Sequence, residues 1–322
     1  MKYLKMPESD VYYNLALEEY LFDHYKDEDL LLLWKNHDSI VVGKYQNVYQ
    51  EVNIKQVEES GIPVARRNTG GGTVFHDKGN LNYSFITDHD PKTFSDYEPF
   101  VEPVIRALGS LGVSAEKRNK SDIAIQGKKI SGNAQTIKGG RILHHGTLLF
   151  DADLESLGDA LRPGSGVFSS KAVESIRSQV TNIKDYLREA TIDQLETCLL
   201  KAYFGDEKPQ PLALSDAELE EVSLLREAKY ITWEWNYGRS PEFSFQKTGW
   251  AGGSKVAVEL HVKKGLIAAC GICCDEDLEQ KIDSQCAQRL LVGIPYSYTA
   301  VYEFFSQTMR RDLAAALTDC FF

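Results

Sequence analysis

A run of three glycines directly follows a pair of arginines in the segment RRNTGGGTVFHD, which extends from Arg66 to Asp77. Consecutive glycines leave the peptide N–H groups of a turn open to an anion, and arginines donate charge-assisted hydrogen bonds to it. The segment therefore indicates phosphate binding, with a glycine-rich hairpin carrying surface arginines as the alternative. Neither GxxxxGK[ST] nor GxGxxG occurs in the chain, so P-loop hydrolases and Rossmann dehydrogenases lose their main support.

A second group of residues with chemical potential surrounds Lys129, in the sequence KKISGNAQ. The small residues Ser131, Gly132 and Ala134 leave room for a ligand beside the ammonium group, although a lone lysine on a strand is usually only a solvated side chain. Strand alternation predicts that Lys129, Ser131 and Asn133 share one face. The pattern favours a lysine that lies against a bound ligand.

Histidine and cysteine pairs give weaker signals. His144 and His145 are adjacent on a predicted strand, so they point to opposite faces and do not form a natural bidentate metal site. One of them is expected to line a pocket, with a structural histidine as the alternative. Cys270, Cys273 and Cys274 form C-x-x-C-C, but no second CxxC or histidine pair follows at zinc-finger spacing. We therefore predict thiols buried on a strand and no metal site built from a side-chain cluster.

The elements that must position these residues alternate between strands and helices. A helix capped by Asp10 or Ser9 carries Leu17 and Leu21 on its apolar face. The turns at Gln126-Gly127 and at 138–140 resemble hairpin turns, which disfavours a doubly wound parallel sheet. The fold class predicted is α+β, with a mixed, largely antiparallel sheet flanked by helices. Strands are predicted at 30–34, 39–43, 63–66, 73–76, 81–87, 255–262 and 266–273, and helices at 53–59 and 97–111.

Length and composition set the wider limits. The chain has 322 residues, of which 43% are hydrophobic and 26% charged, so it can bury a sizeable core and form two folding units. The turn-rich run FQKTGWAGG places the boundary near residue 246, which gives domains 1–245 and 246–322. A net charge of −11 disfavours broad nucleic-acid binding. No apolar run approaches the ~20 residues of a membrane helix and no signal segment is recognised, so we expect a cytoplasmic protein without membrane contact.

Taken in order, the motifs RRxxGGGxVFHD, KxSGxA and HHGTLL resemble the lipoate-protein ligase A family, which is related to biotin protein ligases. Further matches lie at 42–47 and 171–183. The resemblance extends over about residues 9 to 245, and residues 246–322 resemble the small accessory domain of the family. The chain departs from the family pattern at Asn68, Thr69 and Thr73, where other members have Arg, Ser and Ala.

The resemblance implies a two-step reaction in which lipoate and ATP form lipoyl-AMP, and the lipoyl group is then transferred to a lysine of a carrier protein. It implies ATP and Mg²⁺ as cofactors and lipoyl domains of 2-oxoacid dehydrogenase complexes or the glycine cleavage H protein as partners. Lys129 is the implied catalytic residue, bridging the lipoate carboxylate and the α-phosphate. Asp122 is implied to position Mg²⁺ or the incoming amine, and a tunnel for lipoate is expected near Val74 and Leu148. The implied substrate and nucleotide contacts are Arg67, Gly70, Gly71, Gly72, Thr73, Val74 and Phe75 for the phosphates, and Asn80, Gly132 and His145 for the pocket wall.

Three other functions compete with a ligase. An octanoyltransferase with a catalytic cysteine is disfavoured, because no cysteine precedes Cys198 and the motif-bearing half has no thiol. A lysine-dependent transferase that takes carrier-bound acyl groups without ATP is the main alternative, and an inactive carrier-binding module is the third. The sequence does not distinguish lipoate from octanoate, name the carrier protein, give the oligomeric state or settle the roles of Asp122 and His145.

Overall fold

The computed structural model describes residues 1–7, 9–91, 96–161, 164–176 and 178–322. The chain divides into two compact units: the first comprises Met1–Lys44, Ala65–Leu157 and Ile176–Ile231, and the second Tyr45–Val64, Gly158–Ser175 and Thr232–Phe322. This partition differs from the division expected at 245 and 246, which falls inside the strand Phe243–Ala251. An accessory role for residues 246–322 stays a prediction. Arg177, within the motif at 171–183, lies outside the described residues.

The strands and helices are numbered separately in chain order. The strands are β1 (Lys2–Lys5), β2 (Leu30–Trp34), β3 (Ser39–Val42), β4 (Val64–Arg66), β5 (Val74–His76), β6 (Asn80–Asp88), β7 (Glu116–Arg118), β8 (Asp122–Ile125), β9 (Lys128–Lys138), β10 (Arg141–Leu149), β11 (Val167–Ser170), β12 (Gln210–Pro211), β13 (Phe243–Ala251), β14 (Ser254–Lys263) and β15 (Leu266–Cys274). The α-helices are α1 (Val11–His24), α2 (Val48–Glu51), α3 (Ile54–Ser60), α4 (Glu98–Ser110), α5 (Leu154–Ala160), α6 (Ile192–Phe204), α7 (Asp216–Leu225), α8 (Trp233–Asn236), α9 (Glu276–Ile282), α10 (Ser284–Leu291), α11 (Tyr298–Ser306) and α12 (Arg311–Asp319). A 3-10 turn covers Ile183–Tyr186, and a π-helical turn, Arg226–Tyr230, continues α7.

The first unit contains an eight-stranded sheet with the order β12-β1-β2-β6-β10-β9-β8-β7. β1 is parallel to both neighbours, and the remaining pairs are antiparallel. A smaller sheet has the order β4-β3-β5. The predicted α+β class, with a mixed, largely antiparallel sheet flanked by helices, is confirmed.

Strand alternation gives the eight-stranded sheet two chemically different faces. The apolar face carries Tyr83 and Leu148 and packs against buried residues of α4 and α6 in one core. Residues an odd number of positions away along the same strands point to the opposite face. Ser84 and His145 lie there as a directly opposed cross-strand pair. We call this second surface the site face.

Two hairpins have the glycine-containing turns that the sequence predicts. Gln126 and Gly127 join β8 to β9 with φ angles of 50° and 76°, and Gly139 and Gly140 join β9 to β10 with φ angles of 58° and 77°. Positive φ at both central residues is the property of the type I′ turn that matches strand twist. These turns place β8, β9 and β10 side by side.

A β-bulge in β9 changes the predicted direction of Lys129. Ile123 pairs with Ser131 while Ala124 pairs with Lys129, so Ile130 is an extra residue on the β9 side. A bulge of this kind reverses the alternation locally and re-aims a side chain. The expectation that Lys129, Ser131 and Asn133 share a face is therefore wrong.

Helix α1 is buried on most of its circumference. The Asp10 side chain accepts a hydrogen bond from the Tyr12 N–H at 2.8 Å, as expected of a cap. The buried residues include the predicted Leu17 and Leu21, and also Glu18. A carboxylate in the interior needs polar partners, and the site face supplies them.

The second unit contains the antiparallel sheet β11-β13-β14-β15, with α12 against β13 and α10 against β15. The run FQKTGWAGG, expected to be turn-rich, is mostly strand: β13 continues to Ala251, and only Gly252 and Gly253 form the turn. The three clustered cysteines lie on β15 as expected, but they are not buried as predicted, since Cys273 is exposed and Cys270 and Cys274 are only partly buried. Four helices follow where two were expected. None of the described helices has the length and apolar content needed to cross a bilayer.

Candidate functional site

The glycine turn is organised by the buried guanidinium of Arg67. Its Nη2 donates to the carbonyl oxygens of Gly70 at 2.6 Å and Gly72 at 2.8 Å. Its Nη1 donates to the Val41 carbonyl at 3.1 Å and its Nε to Thr69 Oγ1 at 3.0 Å. These bonds use four of the five N–H donors of an arginine. Arg67 thus holds the turn itself, and its predicted contact with a phosphate depends on the fifth donor.

The orientation of the turn follows from these bonds. In a trans peptide the C=O and the following N–H point in opposite directions. Because Arg67 holds the Gly70 carbonyl, the N–H of Gly71 points away from the guanidinium. Gly71 has a φ of +86°, and a Cβ there would lie 3.1 Å from Nη2 of Arg67. A glycine is therefore favoured here, and the predicted contact of its N–H with a phosphate stays a prediction.

Lys129, Asp122 and Gly132 meet on the site face. Nζ of Lys129 lies 2.8 Å from Oδ1 of Asp122, and Asp122 is the cross-strand partner of Gly132. Nη2 of Arg118 lies 4.0 Å from the other Asp122 oxygen. The carboxylate therefore fixes the position of the lysine ammonium, and the Lys129 side chain is 25% exposed. Such an ammonium can meet an anion at the surface of the sheet.

The backbone of Lys129 is clamped by the segment that carries the downstream motif. The Lys129 N–H donates to the Gln179 carbonyl at 2.8 Å, and the Thr181 N–H donates to the Lys129 carbonyl at 3.0 Å. On the opposite edge Lys129 pairs with Ala124. Motifs far apart in the sequence are thus brought together around one residue.

Ser131 and Asn133 lie on the apolar face instead. The Tyr83 hydroxyl donates to Oδ1 of Asn133, whose Nδ2 donates to Ser131 Oγ at 3.2 Å. Leu148 belongs to the core against α4 and α6, and the lipoate tunnel expected near Val74 and Leu148 stays a prediction. Its neighbour Thr147 faces the site, where its hydroxyl accepts the Gly132 N–H at 3.3 Å.

The two adjacent histidines separate as the sequence predicts. His144 is buried on the apolar face and stacks on Phe100 with ring centroids 4.4 Å apart. Burial holds the pKa of His144 well below its usual value. His145 lies on the site face, where its Nε2 is 2.7 Å from Thr69 Oγ1 and its Nδ1 is 3.0 Å from Oε1 of Glu18. His145 therefore connects the glycine turn to helix α1.

Glu18 is a residue of this site that the sequence analysis missed. It is 3% exposed, and Ser84 Oγ donates to its Oε1 at 2.5 Å. The available signal was only a charged residue beside Leu17 and four positions before the apolar Phe22. Helical position alone could not identify the partners that a buried carboxylate contacts.

The remaining predicted residues lie around the same turn. Thr73 and Val74 are partly buried and Phe75 is buried, and β5 pairs with β3. Asn80, at the start of β6, is buried and donates from Nδ2 to Oδ1 of Asn82 at 2.9 Å. The predicted contacts of these residues with nucleotide or lipoate stay predictions.

Burial also sets the charges near the turn. Burial lowers the pKa of Arg67 to about 10, and the carboxylate of Glu18 opposes that shift. Burial lowers the pKa of His76 to about 3, and the nearby positive charge of Arg67 acts in the same direction. His76 is therefore neutral at physiological pH, and Asn36 Nδ2 lies 2.9 Å from its Nδ1.

Among the described residues, this site contains neither a side-chain cluster that could hold a metal ion nor a thiol. In the part of the chain that the structure describes, no group of three or more His, Cys, Asp or Glu residues is arranged to hold a metal ion. Cys198 lies in α6, and the other five cysteines lie in the second unit. The site is one of arginine, lysine, carboxylate and backbone N–H groups.

The sequence has clear relatives. Residues 10–204 match the family model of the lipoyl protein ligase A/B catalytic domain. The chain is 40% identical over 293 residues to the lipoate-protein ligase LplJ of Bacillus subtilis, covering 89% of this chain and 88% of that protein.

The chain is also similar to solved structures of lipoate protein ligases. A Thermoplasma acidophilum putative lipoate protein ligase with bound lipoic acid is 27% identical with a TM-score of 0.63, covering 73% of this chain and 98% of its own. The bi-partite ligase of the same organism, described with its E2 lipoyl domain, is 25% identical with a TM-score of 0.63, over 74% and 96% of the two chains. A lipoate-protein ligase A bound with ATP is 27% identical with a TM-score of 0.64, over 74% and 98%.

Proposed function

Because this chain belongs to the lipoyl protein ligase A/B family, we propose that Lys129 and the glycine turn together carry out the activation of lipoate. The chain is an ATP-dependent lipoate-protein ligase. It converts lipoate and ATP into lipoyl-AMP and pyrophosphate, and then transfers the lipoyl group to a lysine of a carrier domain. The observation that carries our assignment of residues is the Lys129–Asp122 pair, at 2.8 Å on the site face.

Lys129 supplies a positive charge where the reaction concentrates negative charge. When the lipoate carboxylate attacks the α-phosphorus, negative charge grows on the phosphoryl oxygens. An ammonium held in place by Asp122 stabilises that charge without having to reorganise. Asp122 is therefore a positioning residue in this proposal, and the ammonium is what meets the carboxylate and the α-phosphate.

The glycine turn holds the nucleotide phosphates in the same proposal. Arg67 faces the carbonyl side of the turn and the Gly71 N–H points to the other side, so peptide N–H groups are available to anionic oxygens. The positive charge of Arg67 then attracts the phosphates from a distance. Its guanidinium makes few direct contacts with them, because most of its N–H donors are bonded to the turn.

Magnesium fits this site only as a companion of ATP. Mg²⁺ keeps several waters and binds through substrate phosphates with one or two carboxylates, so it needs no protein cage. Asp122 is the carboxylate present, but Lys129 already contacts one of its oxygens at 2.8 Å. When bound, the ion would neutralise phosphate charge, with the second Asp122 oxygen as its protein ligand.

The acceptor is a lipoyl carrier domain. The relationship to a ligase described with its E2 lipoyl domain supports acceptors of that type. Lipoyl domains of 2-oxoacid dehydrogenase complexes and the glycine cleavage H protein are the acceptors we propose, with a cytoplasmic location.

The test is exchange of radiolabelled pyrophosphate into ATP. Purified chain should catalyse the exchange only when lipoate is present, since the first step is reversible adenylation. A transferase that takes carrier-bound acyl groups without ATP would show no exchange, yet would move octanoyl groups from acyl carrier to acceptor. That second outcome would replace our proposal.

A further inference from the structure

Four buried side chains form a continuous connection from helix α1 to the glycine turn. Glu18 and His145 lie 3.0 Å apart, His145 and Thr69 2.7 Å, and Thr69 and Arg67 3.0 Å, measured between their polar atoms. The exposure of these side chains ranges from 0% for Thr69 to 7% for His145. Water has little access to them, so each group depends on the next for its hydrogen bonds.

The donor at one end fixes the direction of the first hydrogen bond in the chain. Nε of Arg67 can only donate, so Thr69 Oγ1 accepts from it and keeps a hydroxyl proton that it can donate to Nε2 of His145. The Nδ1–H of His145 then donates to Glu18. This assignment uses one tautomer of a neutral imidazole and an ionised carboxylate, and it satisfies each atom.

A second chain reaches the same carboxylate from the opposite side. Nε1 of Trp34 donates to Ser84 Oγ at 2.9 Å, and the Ser84 hydroxyl donates to Oε1 of Glu18 at 2.5 Å. Two donors therefore converge on Glu18, which has only acceptors when ionised. A carboxamide in its place would present an NH₂ group to at least one donor.

The charge of Glu18 has a clear partner in the same chain. Arg67 is only 6% exposed, and the carboxylate of Glu18 opposes the effect of that burial on the pKa of the guanidinium. Removing one member of a buried charge pair leaves the other uncompensated. Without the Glu18 carboxylate, we expect the guanidinium of Arg67 to move toward solvent. That movement would break its hydrogen bonds to the carbonyl oxygens of Gly70 and Gly72.

We infer that Glu18 is a positioning residue for the adenylation step, acting through His145, Thr69 and Arg67 on the glycine turn. It does not touch the nucleotide. It fixes the tautomer of His145, the rotamer of Thr69 and the guanidinium that holds the Gly70 carbonyl. The orientation of the Gly71 N–H toward phosphate thus depends on a carboxylate in helix α1. This inference deepens the proposed function and rests on it.

The experiment measures lipoate-dependent pyrophosphate exchange by the full chain with Glu18→Gln. We expect the KM for ATP to rise by about tenfold or more, because the turn is disturbed; a change in the KM for lipoate can accompany it, since His145 is also a predicted pocket-wall residue. Glu196→Gln is the matched control, since Glu196 is also a buried carboxylate of the first unit, paired with Lys5 and Lys35 on a different helix. An effect confined to the KM for lipoate would overturn the inference.

Thr69 provides the second measurement, which decides the matter if Glu18→Gln does not fold. Thr69→Val removes the hydroxyl at nearly constant volume and should raise the KM for ATP as Glu18→Gln does, whereas Thr69→Ser should restore it. In the double variant of Glu18 and Thr69 the second change should add little, because both cut one chain. Additive effects, or equal behaviour of Val and Ser at position 69, would show that no such chain operates.

The two proposals fail in different ways. If the unaltered chain shows no lipoate-dependent exchange, the proposed function is wrong. If the unaltered chain is active and Glu18→Gln keeps its KM for ATP, only the positioning role is wrong.

Discussion

Gly132 lies directly against the end of Lys129. A Cβ built at Gly132 would be 3.0 Å from Nζ and 3.1 Å from Cε of Lys129. A glycine is favoured at this position of the KxSGxA motif because a side chain would collide with Lys129. Its backbone conformation does not require glycine, since its φ is not in the left-handed region. The ammonium reaches Asp122 only because residue 132 has no side chain.

Gly132→Ala should therefore impair adenylation without unfolding the protein. The added methyl meets the flexible end of a lysine, so the side chain moves and the cost in stability is small. Displacing the ammonium from Asp122 should lower pyrophosphate exchange by about tenfold to a hundredfold. Gly109→Ala in α4 is the control, since a Cβ there meets nothing within 4 Å. Equal exchange rates in the two variants would contradict this role of Gly132.

Lys129→Ala should abolish lipoyl-AMP formation while leaving the melting temperature close to that of the parent. Preorganised electrostatic groups of this kind contribute on the order of 3 kcal/mol to transition-state stabilisation. Lys129→Arg should not restore the rate, because a planar guanidinium cannot occupy the place of a compact ammonium. Exchange within a few times the parental rate in the alanine variant would make Lys129 an ordinary surface lysine.

His76 should make the fold sensitive to mild acid. Its pKa is lowered to about 3, so below about pH 6.5 the unfolded chain binds a proton that the folded chain refuses. The free energy of unfolding should thus fall by about 1.4 kcal/mol per pH unit for this group as the pH decreases toward 3. His144 contributes in the same direction.

Urea unfolding between about pH 7 and about pH 5 tests this effect before most carboxylates titrate. His76→Asn should reduce the slope of stability against pH, whatever it does to stability at pH 7. His37→Asn, at an exposed position, should leave the slope unchanged. A slope identical in both variants would count against the assignment.

Removing the six cysteines should affect stability more than catalysis. Burial raises the pKa of Cys270 to about 12, so its thiol is protonated at neutral pH and is a poor nucleophile. Cys320 is buried, and a Cβ built at Gly249 would lie only 2.7 Å from its Sγ. The sulfur is therefore closely packed, and replacing Cys320 by Ser should lower stability. Turnover per folded molecule should persist. An acyl-enzyme seen by mass spectrometry that disappears with one cysteine change would support a transferase instead.

The sheet and the two main motifs could be anticipated because they are local properties. Most predicted strand segments differ from the observed ones by one or two residues, and the glycine turns at 126–127 and 139–140 specify their hairpins. The family could be anticipated because its motifs occur in order over most of the chain. The match to the family model and the 40% identity to a curated relative confirmed it. Hydrophobic periodicity and turn chemistry operate over a few residues and can be read without a fold.

What could not be anticipated depends on contacts between distant segments. The partners of Glu18 come from β6 and β10, more than 60 positions away along the chain. Similarly, the three-part second unit joins residues 45–64 and 158–175 to the C-terminal portion. Nothing in local composition shows such assembly. The strand through FQKTGWAGG was missed because Gly249, normally a turn former, is tolerated in β13, where it pairs with Val256 of β14.

The extra residue at Ile130 makes strand register a determinant of the candidate site. Deleting one residue there would restore regular alternation and turn the Lys129 side chain toward the apolar face of the sheet, with every proposed site residue still present in the sequence. The lysine is thus placed by the number of residues before it as much as by its chemical type. A survey that replaces residues one at a time would never detect that requirement, whereas insertions and deletions would.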